Sequence, residues 1–139
     1  MDGRAFLESA RHLMTTPSEA NRRSAVSRAY YAVLNEVRAA LERWGFLMPA
    51  GATIDDDNVS AFIMVPNMDL LRVVDSVTQL KQNRRIGDNA ISGSGVFADD
   101  KEAKRLLLLA EIGIDLLDQI EADPTRLEKA IADIRAGRP

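Results

Sequence analysis

Val26-Ser27-Arg28-Ala29-Tyr30-Tyr31-Ala32-Val33-Leu34-Asn35-Glu36-Val37-Arg38-Ala39-Ala40-Leu41-Glu42-Arg43-Trp44 decides the fold. Val26, Tyr30, Val33, Val37, Leu41 and Trp44 recur in steps of three and four. That spacing lays apolar side chains along one face of an α-helix. Just upstream, Thr16-Pro17-Ser18-Glu19 reads as a helix start. Thr16 is the expected cap, Pro17 has its φ preset for the first helical position, and Glu19 stands where a capping box needs a carboxylate. The expected helix runs from Pro17 to about Trp44, and Gly45 ends it.

The same spacing extends in both directions, and no convincing alternating strand interrupts it. A first helix is expected from about Asp2 to Met14, with Phe6, Leu7, Ala10, Leu13 and Met14 inward. After a loop over 45–57, a short helix is expected over Asn58–Met64, broken by Pro66-Asn67. The next should run from about Met68 to Asn83 with Leu70, Leu71, Val74, Val77 and Leu80 inward. A polar loop from Arg84 to Asp99 follows, with Ser92-Gly93-Ser94-Gly95 at its centre. Asp99 and Glu102 suit the start of a helix over Asp100–Glu121. Its Leu106-Leu107-Leu108-Leu109-Ala110 is apolar all round, as for a helix covered on more than one face. Asp123-Pro124 opens a last helix through about Arg135. The prediction is an all-α, antiparallel bundle of four to six helices in one domain spanning 1–139.

Composition narrows function by exclusion. The 139 residues are 46% hydrophobic and 28% charged, and only 5% are aromatic. There is no cysteine, so disulfides, thiolate nucleophiles, zinc fingers and iron–sulfur clusters are excluded. The single histidine, His12, rules out any site needing two imidazoles from one chain. No apolar run approaches the roughly 18–20 residues of a membrane span, and no basic-then-apolar leader opens the chain. A cytoplasmic protein without membrane contact, metal or cofactor is expected. The formal net charge of −3 argues against indiscriminate coating of nucleic acid, which leaves room for a local basic patch.

The long helix carries a second, polar stripe. Ser24, Arg28, Tyr31, Asn35 and Arg38 follow steps of four, three, four and three, and Arg28 and Asn35 fall about 20° apart at 100° per residue. Solvated faces more often carry Glu and Lys. Hydrogen-bonding groups with little charge suit a partly buried groove or a subunit contact.

Ser27-Arg28-Ala29-Tyr30-Tyr31-Ala32-Val33-Leu34 resembles the HEPN family, helical nucleotide-binding domains. One branch of it has Ser-Arg-Ala-Tyr-Tyr-Ala, an apolar pair and a His on its long second helix. Leu80, Arg84 and Asp88 are similar to a second family stretch, with Gly87 and Asn89 where it has Ala and Tyr. The likeness spans roughly residues 4–122. It implies a homodimer and a groove around Arg28. Many members are metal-independent RNases in which a His, separated from an Arg by four to six residues, takes the ribose 2′-OH proton while the guanidinium meets the phosphate. Here that position is Asn35, and a carboxamide cannot act as a general base near pH 7. The resemblance thus implies nucleotide or RNA binding through Ser27, Arg28, Tyr31, Asn35, Arg84 and Arg85, in a toxin–antitoxin, defence or nucleotidyltransferase-linked setting with a separately encoded partner. In any surviving catalysis, Arg28 would stabilise the phosphate and Asn35 could only orient substrate.

The remaining candidates have plainer readings beside them. His12 reads as solvated, or as a base brought to the Arg28 groove by the first helix. Lys81, Arg84 and Arg85 with Arg22 and Arg23 read as helix-end charge, or as a phosphate track if the bundle unites them. Gly93-Ser94-Gly95 lacks the Gly-Lys-Ser/Thr ending of a phosphate loop. Asp55-Asp56-Asp57 lacks the spaced ligands of a calcium loop. The alternative function is an inactive dimerisation or adaptor module whose polar stripe binds protein.

Overall fold

The computed structural model describes residues 2–16, 18–47, 56–89 and 99–137, with backbone alone at 56–58 and 85–89. These residues form α1 (Gly3–Leu13), α2 (Glu19–Arg43), α3 (Asp56–Ile63), α4 (Met68–Asn89), α5 (Asp100–Ala122) and α6 (Pro124–Ala136). No strand occurs among the described residues, in line with the helical periodicity.

Side-chain oxygens satisfy the first amides of four helices, as orphan donors at a helix start require. Asp2 accepts from the Ala5 N–H at 2.8 Å and Ser18 from Asn21 at 3.0 Å. Asp99 accepts from Lys101 at 2.9 Å. Asp123 accepts from Thr125 at 3.0 Å and Arg126 at 3.3 Å, with Pro124 opening α6. At α2 the cap is therefore Ser18 and not Thr16. Thr16 instead offers its carbonyl to Asn21 Nδ2 at 2.7 Å. Glu19, now the first helical residue, pairs with Arg23 at 2.6 Å. Pro17 lies outside the described residues, as do Pro49, Gly51, Asp55 and Ser92-Gly93-Ser94-Gly95.

The end of α2 is as expected. Gly45 has φ +93°, a left-handed turn for which a side chain is costly. The Gly45 and Phe46 amides reach back to the Glu42 and Leu41 carbonyls at 3.1 and 3.0 Å. By contrast, α4 overruns its expected end at Asn83 and continues to Asn89. The supposed loop residues Arg84–Asn89 are its last turns.

Four helices alternate in direction. Gly3 lies against Ala32 and Glu36, while Phe6 meets Tyr31 further along, so α1 runs antiparallel to α2. Arg22 pairs with Asp100 at 2.7 Å and Arg43 with Glu121 at 2.5 Å, so α2 and α5 are parallel. Gln79 accepts from Arg105 at 3.4 Å and Ser76 lies against Gly113, which makes α4 antiparallel to α5. α6 closes one end: Arg126 forks onto Asp69 at 2.8 and 3.0 Å, and Asn67 donates to Asp133 at 2.9 Å.

The predicted core stripe of α2 is buried at every position from Val26 to Trp44, together with Leu34. Leu70, Leu80, Leu106, Ile114, Ile120 and Ile134 join it from the other helices. Each such side chain removed from water contributes about 1.5–3 kcal/mol. The Leu-rich run of α5 is less covered than expected. Leu106, Leu107 and Ala110 are buried, but Leu108 is 56% exposed.

Candidate functional site

The polar stripe of α2 faces outward between α1 and α4. α1 flanks it at Ser9, Phe6 and Gly3, and α4 at Arg84. This follows from the core stripe, because an amphipathic helix that buries one face must present the other. Within it Ser24 and Arg28 are exposed, whereas Ser27, Tyr31, Asn35 and Arg38 are half-buried.

Tyr31 is the centre of this face. Its ring meets Phe6 of α1 with centroids 6.5 Å apart, and Tyr30 edge-on at 5.1 Å. From the other side Arg84 approaches, its guanidinium carbon 5.2 Å from the Tyr31 centroid and 5.4 Å from that of Tyr30. A cation over aromatic faces is stabilised by their quadrupoles, by about 0.5–2 kcal/mol. The last turns of α4, read from sequence as loop, are thus what carries Arg84 to the tyrosine pair. Arg85 is helical, and its side chain lies outside the described residues.

Arg28, one turn before Tyr31, donates to the Ser9 hydroxyl of α1. Its partner is thus a neutral group. Arg22 and Arg23 differ in that each is held by a carboxylate. Arg22 bonds Asp100, whose carboxyl it keeps below the usual range, and Arg23 bonds Glu19. Those two arginines tie helices and turns together, as the helix-end reading of their charge has it. His12 is exposed, one turn beyond Ser9 on α1, which puts it at the Arg28 end of this face.

Asn35 has different company. Its Nδ2 donates to the Tyr31 carbonyl at 2.7 Å. It lines a recess of about 180 Å³ with Asp2, Gly3, Glu36, Arg38, Ala39 and Glu42. Three carboxylates border that recess against one arginine, and the arginine itself reaches Glu42 at 3.3 Å. Arg28 and Asn35 share a helix face but stand in separate surroundings, one lined by a hydroxyl and the other by acids.

Sequence reasoning missed Ser9 and Phe6, the α1 residues that meet Arg28 and Tyr31. Phe6 was legible only as an inward residue, and nothing in the spacing of Ser9 pairs it with a residue nineteen positions later. No protein-family model, no curated protein and no solved structure matches this chain.

Proposed function

We propose that this chain is a HEPN-like nucleotide- or RNA-binding protein that contacts phosphate through Arg28 and Arg84 on either side of Tyr31. The supporting observation is the placement of Arg84 against Tyr30 and Tyr31, beside an Arg28 whose partner is a hydroxyl. Two guanidinium groups from two helices then serve one face. Planar forked donors suit phosphate oxygens, and a tyrosine edge suits a base or ribose. A carboxamide at position 35 takes no proton, so the general base of the family's RNases is missing from this face. By the same resemblance it works as a homodimer in a toxin–antitoxin, defence or nucleotidyltransferase-linked system.

The test is fluorescence anisotropy with a labelled single-stranded RNA. Arg28→Ala should bind more weakly than the wild type. Superimposable titration curves would refute the proposal.

A second reading rests on the Asn35 recess. Asp2, Glu36 and Glu42 would repel phosphate and attract a basic peptide, which suits an adaptor. In that case Glu36→Gln, and not Arg28→Ala, is the variant that loses the partner.

A further inference from the structure

An open groove, about two helical turns long, runs between α4 and α5. It lies on the far side of α4 from Arg84, because the nine positions from Asp75 to Arg84 turn a helix by about 180°. Its volume is about 480 Å³, and Met68, Leu71, Leu109, Ile112 and Leu116 supply its apolar lining. Met68 is 69% exposed and Ile112 45%. Ser76 also lines the groove and meets Gly113, where α4 and α5 approach closely. Large apolar side chains gathered in one recess mark a surface that another molecule covers.

The backbone decides which shape fits. Both walls are helices, whose interior amides and carbonyls are bonded within their own turns, and no strand edge exists among the described residues. An extended peptide in this groove would find no ladder of backbone partners and would bury its own polar groups unpaired. An α-helix arrives with those bonds already made. A stripe of apolar side chains, three and four residues apart, is what such a helix needs to fill a channel between two others.

Charge decides what flanks the stripe. Arg72 and Asp75 stand on the α4 wall, both exposed and three residues apart, while Leu109, Ile112 and Leu116 make the α5 wall apolar. Most arginines here are tied to a carboxylate, as Arg4 is to Asp118 and Arg126 to Asp69. Arg72 is not: among the described residues no ion pair or hydrogen bond holds it. Asp75 accepts from the Gln79 amide at 2.8 Å and meets no cation within ion-pair distance among the described residues. An uncharged ligand would bury both groups unmatched, which is costly. An anionic lipid surface would suit Arg72 and repel Asp75. A helix bearing an acid and a base one turn apart satisfies both. In a homodimer of the kind the resemblance implies, the motif face around Arg28 and Tyr31 meets its own copy, which leaves this groove free for a different chain.

We infer that the α4–α5 groove takes one amphipathic helix of a different protein, its apolar stripe on Leu71, Leu109, Ile112 and Leu116, its acid against Arg72 and its base against Asp75. This inference is independent of what the Arg28–Tyr31 face binds.

Two synthetic peptides test it. Each is about three turns long, is locked as a helix by a lactam bridge on its outer face, and carries leucines three and four residues apart. One has a glutamate and, a turn later on the same flank, a lysine; the other has them in reverse order. In fluorescence anisotropy with the full chain, one order should bind at least about tenfold more tightly than the other, because the wrong order sets like charges together twice. The double variant Arg72→Asp/Asp75→Arg should reverse that preference, and Ile112→Glu should abolish binding of both peptides, with helix content by circular dichroism unchanged. The comparison of the two orders on the wild-type chain needs no variant, so a misfolded Ile112→Glu leaves it decisive. Equal binding of both orders, no binding of either, or a preference that survives the double exchange overturns the inference. So does a groove already covered by a second copy, read as a sedimentation coefficient that falls in a folded Ile112→Glu. Anionic phospholipid vesicles that bind wild type and not Ile112→Glu overturn it equally.

Discussion

The guanidinium carbon of Arg84, on α4, stands 5.2 Å from the centre of the Tyr31 ring, on α2. The two residues lie far apart in the chain, and their contact joins the end of one helix to the middle of another. It also fixes where a positive charge sits beside the Ser-Arg-Ala-Tyr-Tyr-Ala stretch.

Arg84 and Tyr31 should be energetically coupled. In urea unfolding, Arg84→Ala and Tyr31→Leu should each lower stability, and the double variant should lose less than the sum. A coupling of about 0.5–1 kcal/mol fits a half-exposed cation–π pair. Strict additivity would show that the two groups are neighbours without interaction.

Gly3 should tolerate no side chain. A Cβ there would overlap the Ala32 carbonyl and the Glu36 side chain, and the backbone carbonyl cannot swing aside. Gly3→Ala should cost about 1–3 kcal/mol, as overpacking does, even though alanine is the better helix former. Thermal unfolding reads this directly, and a stabilised Gly3→Ala would contradict the close packing of α1 on α2.

The alternating helices were legible because each apolar stripe is long. Their joints were less so. Thr16 and Ser18 are both capping hydroxyls two positions apart, and Thr16 with Glu19 imitates a capping box. The helix is capped at Ser18, where Asn21 bonds both Ser18 and Thr16. Arg84–Asn89 read as loop because Gly87 and a run of polar residues resemble punctuation. A single glycine costs a helix only about 1 kcal/mol, less than packing against Tyr30 and Tyr31 can offset. Of the site, α2's share was readable from spacing. The α1 and α4 shares were not, since periodicity carries no information on which helices become neighbours.

Acid should loosen the α4–α6 junction. The two bonds from Arg126 hold the Asp69 carboxyl below the usual carboxylate range. A group depressed in the folded state contributes its full stability above the unfolded value, about 3.9. That contribution is lost as pH falls through the lower folded value. Stability measured from pH 6 to pH 2 should therefore fall more steeply in wild type than in Asp69→Asn. Parallel curves would mean that this pair adds nothing to acid sensitivity.

Asn35→His should create, not restore, a nuclease with an unusual pH profile. Asp2, Glu36 and Glu42 share the recess, and nearby carboxylates favour the charged imidazole. The basic form would appear only above the ordinary histidine value of about 6.5. Cleavage of a labelled RNA should be absent in wild type and rise with pH in the variant. No cleavage by either protein removes the nuclease reading altogether.

The salt dependence of RNA binding tests the central claim most directly. For single strands, the slope of log K against log salt changes by about 0.7 for each phosphate contact. Removing Arg28 or Arg84 by alanine substitution should weaken binding and shallow that slope by about this amount, and removing both should shallow it by about twice as much. Slopes identical to wild type in all three variants, or no RNA binding by the wild-type chain, would contradict the account.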